Sequence, residues 1–380
     1  MGCHAIRDSC IRAPFVDGPF SRQIGASQSV QCSQNLQRFS GSETGVASDL
    51  AGYPICGTLV GKEVRMTFAP IQCSAPGKVI LFGEHAVVYG QPAIAVPVTQ
   101  VQATATVELA PPGNGLTLVA PDLERSISLT TAPQDDPLAV AARLTLAHLS
   151  VPPPDAVLTI HSTIPIAGGL GSGAATAAAA VRALAIALGH PLDNESINTI
   201  VYEVEKIHHG TPSGIDNTVV TMAQPIYFVR GRPIELIAVG ATFTILIGDT
   251  GVASPTKESV AYVRRQREKH PAHYDALCDQ IGDLVVEARQ AIEAGDPDTL
   301  GKLMDENHRL LIEMGVSSPD LNRLVTAART SGALGAKLSG GGWGGNMIAL
   351  VEEATIKRVT RALTKQGAQR VIATRLGTIS

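Results

Sequence analysis

The stretch "PIAGGLGSGAATAAAAVRALAIALG", Pro165 to Gly189, constrains this chain more than any other. It sets Gly168, Gly169, Gly171 and Gly173 directly against a run of alanines. Glycine is among the poorest helix formers and alanine is the best, so a loop gives way abruptly to a helix here. Upstream, "AVLTIHSTIPIA" reads as a strand, and the local order is strand, glycine loop, helix. Such a loop brings backbone N–H groups to the start of a helix, where the macrodipole favours an anion. The plainer reading is a tight turn ahead of a buried helix. Periodicity leaves both open.

The chain has 380 residues, 44% of them hydrophobic, enough for a sizeable core and for two domains. A formal charge of −4 and the lack of a long basic run argue against nucleic-acid binding and against a polybasic membrane patch. The longest apolar stretch, Ala174 to Gly189, is broken by Arg182 and is mostly alanine, too weakly apolar to span a bilayer. "MGCHAIRDSC" lacks the apolar core of a signal peptide, and Ile6 stands where myristoylation wants Ser or Thr. These features predict a soluble, cytoplasmic chain. Cys3, Cys10, Cys32, Cys56, Cys73 and Cys278 form no C-x-x-C pair and read as free thiols.

Residues 1–65 are rich in Ser, Gln, Gly and Cys without sustained periodicity. They read as a disordered leader or a non-native extension, with Met66 as an alternative start. Beyond them, "VTQVQATATVEL" alternates as a half-exposed strand does, and "LTLVA" begins another after a Pro-Gly turn. "DPLAVAARLTLAHL" has helical spacing behind an Asp-Pro start, and "NESINTIVYEVEKIHHG" reads as a helix closed by Gly210. "TFTILIGDTG" is a buried strand, and three helical patterns follow, the last capped by Ser318 or Asp320. "AKLSGGGWGGNMIALV" is a glycine loop entering a strand, and "TKQGAQRVIATRLG" supplies a last helix end and strand. Strands and helices mix without a βαβ repeat, which predicts an α+β fold.

No P-loop is present, since Gly77-Lys78 is followed by Val79. Gly340 to Gly345 matches G-x-G-x-x-G, but a strand follows where a dinucleotide fingerprint opens a helix. "SAPGKVILFGEHAVVYGQPAIAVPV" places Lys78, Glu84 and His85 inside a strand-like apolar segment. An isolated lysine there most often snorkels to the surface. "EVEKIHHGTPSGIDN" gathers Glu203, Glu205, His208, His209, Ser213 and Asp216 around a loop that by itself reads as surface charge and a turn. Together, two carboxylates, a lysine and two glycine loops meet the needs of phosphoryl transfer: a cation site, a group that orients the nucleophile, positive charge and a phosphate cradle.

In order and spacing, "APGKVILFGEHAVVYG", "PIAGGLGSGAA", "HGTPSGIDN" and "KLSGGGWGGNMIAL" resemble the signature motifs of the GHMP kinase superfamily. Within it the chain is most similar to the mevalonate kinase branch, because Ala86-Val87-Val88-Tyr89-Gly90 follows Gly-Glu-His where galactokinases carry Thr-Asp. The resemblance runs from about Cys73 to the C-terminus. It implies a two-domain α+β fold, with a ribosomal S5-like ATP-binding domain over 66–240 and a ferredoxin-like domain over 241–380. It implies that Pro165, Gly168, Gly169, Leu170, Gly171, Ser172 and Gly173 cradle ATP phosphates, and that Ser172 and Glu205 ligate Mg²⁺. Asp216 and Lys78 become the catalytic pair, acting on the C5 hydroxyl of mevalonate. It implies, too, that Glu84, His85, Gly341 and Gly342 line the acceptor pocket.

Two positions depart from the pattern. Gly173 stands where the family usually has a second serine, leaving Ser172 as the loop hydroxyl, and Trp343 replaces a usual glycine in a loop its ring would narrow or cover. Other GHMP kinases, acting on phosphomevalonate or on the 3-hydroxyl of mevalonate, are the alternative, and a non-catalytic sensor of the same fold is a third class. The presence of both Lys78 and Asp216 argues for an enzyme. Whether two copies pair as a homodimer stays open.

Overall fold

A 17-residue strand organises the first half of the chain, and the computed structural model describes residues 57–60, 63–66, 69–165, 168–209 and 212–377 around it. Among these residues a hairpin comes first, β1 (Gly57–Val60) against β2 (Glu63–Met66). Most of the stretch read as a disordered leader, residues 1–56, lies outside the described residues, and β1 and nearly all of β2 fall within its bounds.

β3 (Ile71–Phe82) runs antiparallel to the long strand β4 (Ala93–Leu109). The other edge of β4 pairs with β7 (Ala156–Ser162) along its second half and with β8 (Ile226–Phe228) at its start. β5 (Leu116–Ala120) joins β7 in parallel, β6 (Arg125–Ser128) closes that edge, and β9 (Glu235–Leu236) closes the other. The expected alternation in β4 is observed: Val101, Ala103, Ala105 and Val107 are buried while Gln102 is exposed. Its first residues are buried throughout, because that end is covered on both faces.

Helix α1 (Pro137–Leu149) starts as expected, with Asp136 accepting from Ala139 N at 2.8 Å. Helix α2 (Ser172–Ala187) lies on β3 and β4, with α1 and α3 (Asn194–His209) against it. Alanine makes this position possible, since small side chains let α2 be buried almost all round from Ala174 to Ala185. Its one charge, Arg182, donates to the carbonyls of Ser74 and Thr221 and to Asn194 Oδ1. α4 (Ile215–Met222) follows the loop that reads from sequence as a turn.

The second half is built on β10 (Phe243–Asp249), β11 (Gly335–Ser339), β12 (Asn346–Val351) and β13 (Arg370–Leu376). Taken as first to fourth, their order across the sheet is 4-1-3-2, all antiparallel, as in a ferredoxin-like βαββαβ unit. Helices α5 (Thr256–Lys269), α6 (Pro271–Ala294), α7 (Pro297–Glu313), α8 (Pro319–Thr330) and α9 (Ile356–Lys365) surround it. Ser318, not Asp320, caps α8. β10 is apolar without alternation because both faces are covered: Ile245 and Ile247 join the core shared with the first half, and Leu246 the second.

The two halves are fastened by buried polar contacts as well as by apolar ones. Lys337 in β11 and Glu84, just beyond β3, form a fully buried ion pair, and Lys337 Nζ also donates to Leu338 O at 2.7 Å. Burial pushes the Glu84 carboxyl up and the Lys337 ammonium down, and each partner's charge opposes that push. Ser339 Oγ adds a hydrogen bond to Ile80 O at 2.8 Å.

Removing one partner of such a pair leaves a charge buried without compensation, at a cost of ~3–5 kcal/mol. Lys337→Met is therefore expected to lower the chemical denaturation midpoint sharply. Adding Glu84→Gln to it should restore most of the loss. A single variant as stable as the parent would contradict the buried pair.

Candidate active site

Four segments converge at the end of β3. Lys78 lies inside that strand, 6% exposed, and its backbone N–H donates to Leu170 O at 2.9 Å, binding the glycine loop to the sheet. Its Nζ does not snorkel outward. It meets Asp216 Oδ1 at 2.8 Å, in the first turn of α4. The loop passes over the lysine stem: a Cβ on Gly171 would lie 2.8 Å from Lys78 Cγ, and Gly171 has φ +74°. No other residue fits there without strain. Gly171 occupies the N-cap position of α2 with no side chain to cap it, and Ser172 and Gly173 are its first residues. The loop therefore ends in the free N–H groups of an uncapped helix start.

The remaining loop residues fall in place around this contact. Leu170 is buried and anchors the loop, Gly169 is exposed at φ +73°, and Gly168 N bonds back to Pro165 O at 3.4 Å. Gly210, read as the end of α3, lies outside the described residues. Glu205, on α3, is 3% exposed. Burial, reinforced by the nearby negative charge of Asp216 and opposed by Lys78, pushes its carboxyl up to about 7. A desolvated carboxylate beside a second carboxylate is a donor set that fits a divalent cation. Among the described residues no three His, Cys, Asp or Glu side chains gather as a metal cluster.

Glu84 and His85 are not strand residues as read. β3 stops at Phe82, because Gly83 turns the chain at φ +97°, where a Cβ would stand 2.5 Å from Pro92 O. His85 sits at φ 61° ahead of a 3₁₀ turn, Ala86–Tyr89. Its Nε2 donates to Gly341 O at 3.1 Å, which fixes the neutral tautomer, and burial lowers its pKa to about 4. Nδ1 has no partner among the described residues. Gly341 thus reaches the first half through His85, while Gly342 packs on Val316.

Trp343 turns to its own half. Its Nε1 donates to Gly315 O at 2.9 Å, and its ring meets Tyr262 edge-on at 5.3 Å. Two participants were not among the expected site residues, Lys337 and Asn346, although both lie in the quoted motif. Asn346 Nδ2 donates to Gly168 O in the glycine loop.

The sequence and the fold have relatives among known proteins. The family of GHMP kinases N terminal domains matches residues 137–224, and that of GHMP kinases C terminal domains residues 288–369. A mevalonate kinase of Thermococcus gammatolerans is 36% identical over 320 residues, covering 78% of this chain and 93% of that protein. The crystal structure of L. major mevalonate kinase in complex with R-mevalonate aligns with TM-score 0.71 at 31% identity, over 81% of this chain and 96% of that one. The Methanococcus jannaschii mevalonate kinase aligns with TM-score 0.72 at 27% identity, over 82% and 99%. The chain belongs to the GHMP kinase family, ATP-dependent kinases of small molecules. Within that family its place is among the mevalonate kinases. Among the described residues no helix is long and apolar enough to cross a membrane.

Glu205 gives a pH signature. Its carboxyl holds its proton up to about 7 in the folded chain, against an ordinary value of 4.5. The folded state therefore binds more protons between those values, and stability falls as pH rises through them. In metal- and nucleotide-free protein, Glu205→Gln should be the more stable form at pH 8, by up to ~3 kcal/mol, with the gap closing toward pH 4.5. Denaturant midpoints across this range check it. A gap that does not vary with pH would contradict the assignment.

Proposed function

We propose that this chain transfers the γ-phosphoryl group of ATP to the C5 hydroxyl of (R)-mevalonate, giving 5-phosphomevalonate and ADP. The observation that carries the reading is the Lys78–Asp216 pair, 2.8 Å apart and roofed by the glycine loop at the start of α2. In this reading the loop 168–173 receives the β- and γ-phosphates on its backbone N–H groups and on the helix N-terminus. Asp216 accepts a hydrogen bond from the attacking hydroxyl and takes its proton as the bond to phosphorus forms. Lys78 orients that carboxylate and offers its ammonium to the charge building on the transferred group. Both groups are held before substrate arrives, one by the strand and one by the first turn of a helix.

Glu205 and Ser172 are the residues that would hold Mg²⁺. When bound, the ion neutralises charge on the phosphate oxygens. Glu84 gives Oε1 to Lys337, and its Oε2, which has no partner among the described residues, is the oxygen left to meet substrate. His85 Nδ1 is the acceptor left to meet an acceptor hydroxyl, and the 340–345 loop frames it through Gly341.

An ADP-release assay across mevalonate, phosphomevalonate, homoserine and galactose tests the reading. Mevalonate should be preferred by at least ~10²-fold in kcat/KM, as a site matched to a substrate's hydroxyls allows. Phosphorus NMR of the product should show the phosphate coupled to the C5 methylene protons. Preference for another acceptor, or a 3-phosphate product, would refute it.

A further inference from the structure

We propose that Asn346 is a positioning residue for the nucleotide, one that sets the peptide orientation of the phosphate loop from the opposite half of the molecule. The inference rests on the reading of 168–173 as the ATP cradle. Asn346 opens β12, the strand clamped between β10 and β11, where it pairs with Asp249 on one side and Ser339 on the other. Its backbone is thus fixed by two ladders, and its side chain is 3% exposed. The amide Nδ2 crosses to the first half and donates to the carbonyl of Gly168, while Oδ1 has no partner among the described residues.

That bond matters because of peptide geometry. A trans peptide carries its C=O and the following N–H on opposite sides, and no cis bond occurs among the described residues. Pinning the Gly168 carbonyl on Asn346 therefore turns the N–H of Gly169 away from β12. A glycine loop has little stiffness of its own. Left free, the Gly168–Gly169 peptide could rotate and present its carbonyl oxygen, a partial negative charge, to a phosphate. Asn346 removes that alternative before nucleotide binds. It also ties the loop to the sheet whose neighbouring 340–345 turn holds His85, so cradle and acceptor wall share one rigid support.

Asn346→Asp keeps the shape and removes the donor, replacing it with an oxygen that repels the carbonyl. The expected result is a rise in KM for ATP on the order of tenfold. At saturating ATP kcat should fall by less, and KM for the acceptor should hold within about twofold. Asn346→Leu should raise KM for ATP in the same direction, and the isosteric Asp variant decides if Leu fails to fold. In parallel, hydrogen exchange of the parent protein with and without MgADP reads the loop itself. Protection of 168–175 together with a raised KM for ATP supports the inference. Protection with KM for ATP unchanged overturns the role of Asn346 alone, and so does an equal rise in both KM values, which would mark a merely structural residue. No protection overturns the cradle reading and this inference with it.

Discussion

The site is arranged around one side chain. Lys78 is held by its own strand, gives its N–H to Leu170, runs its methylenes beneath Gly171 and ends on Asp216. Three segments far apart in sequence are thereby set relative to one another by one residue. Each contact has a condition attached. The loop must have no side chain at 171, the strand must admit a charge with only 6% exposure, and α4 must begin so that its second residue points back at the strand. Burying a lone ammonium would be prohibitive, and the ion pair is what makes it tolerable. The glycine loop and Asp216 are consequently parts of one packed unit.

The second half of the molecule enters through polar contacts rather than apolar ones alone. Glu84–Lys337, His85–Gly341, Ser339–Ile80 and Asn346–Gly168 all cross from one half to the other. Buried polar groups that must find specific partners allow fewer arrangements than a greasy interface does. The two sheets also share a core through the Ile245 and Ile247 face of β10, which supplies the non-directional part. In this division apolar burial brings the halves together, and the hydrogen bonds and the ion pair decide where the acceptor wall stands relative to the loop.

Much of this was legible in the sequence. The alternation of β4, the Asp136 cap, the alanine helix and the glycine loop are local signals, and local structure followed them. The motifs also announced Lys78, Asp216 and Glu205, which the fold brings into one another's electrostatic reach. What stayed hidden depends on packing across the molecule. Nothing local marks Lys337 as the partner of Glu84, because 253 positions separate them. Glu84 and His85 look like strand residues until Gly83 is seen pressed against Pro92 O. Trp343 reads as an intruder in the site until Tyr262 and Gly315 are seen to hold it. α7 was readable, since Asp296-Pro297 repeats the Asp-Pro start of α1 and Asp296 does accept from Thr299 N.

The central claim is that Lys78 and Asp216 act as one catalytic unit rather than as two residues that happen to touch. A double-mutant cycle on kcat tests it most directly, using Lys78→Met, which keeps the stem under Gly171, and Asp216→Asn, which keeps the carboxylate's shape. Each single change should reduce kcat by ~10²–10⁴-fold, the usual range for loss of a proton-transfer partner. Because either change disables the unit, the double variant should be scarcely slower than the worse single one. If instead the two losses multiply in the double variant, or if Asp216→Asn retains most of its kcat while folded, the pair is not the catalytic unit described.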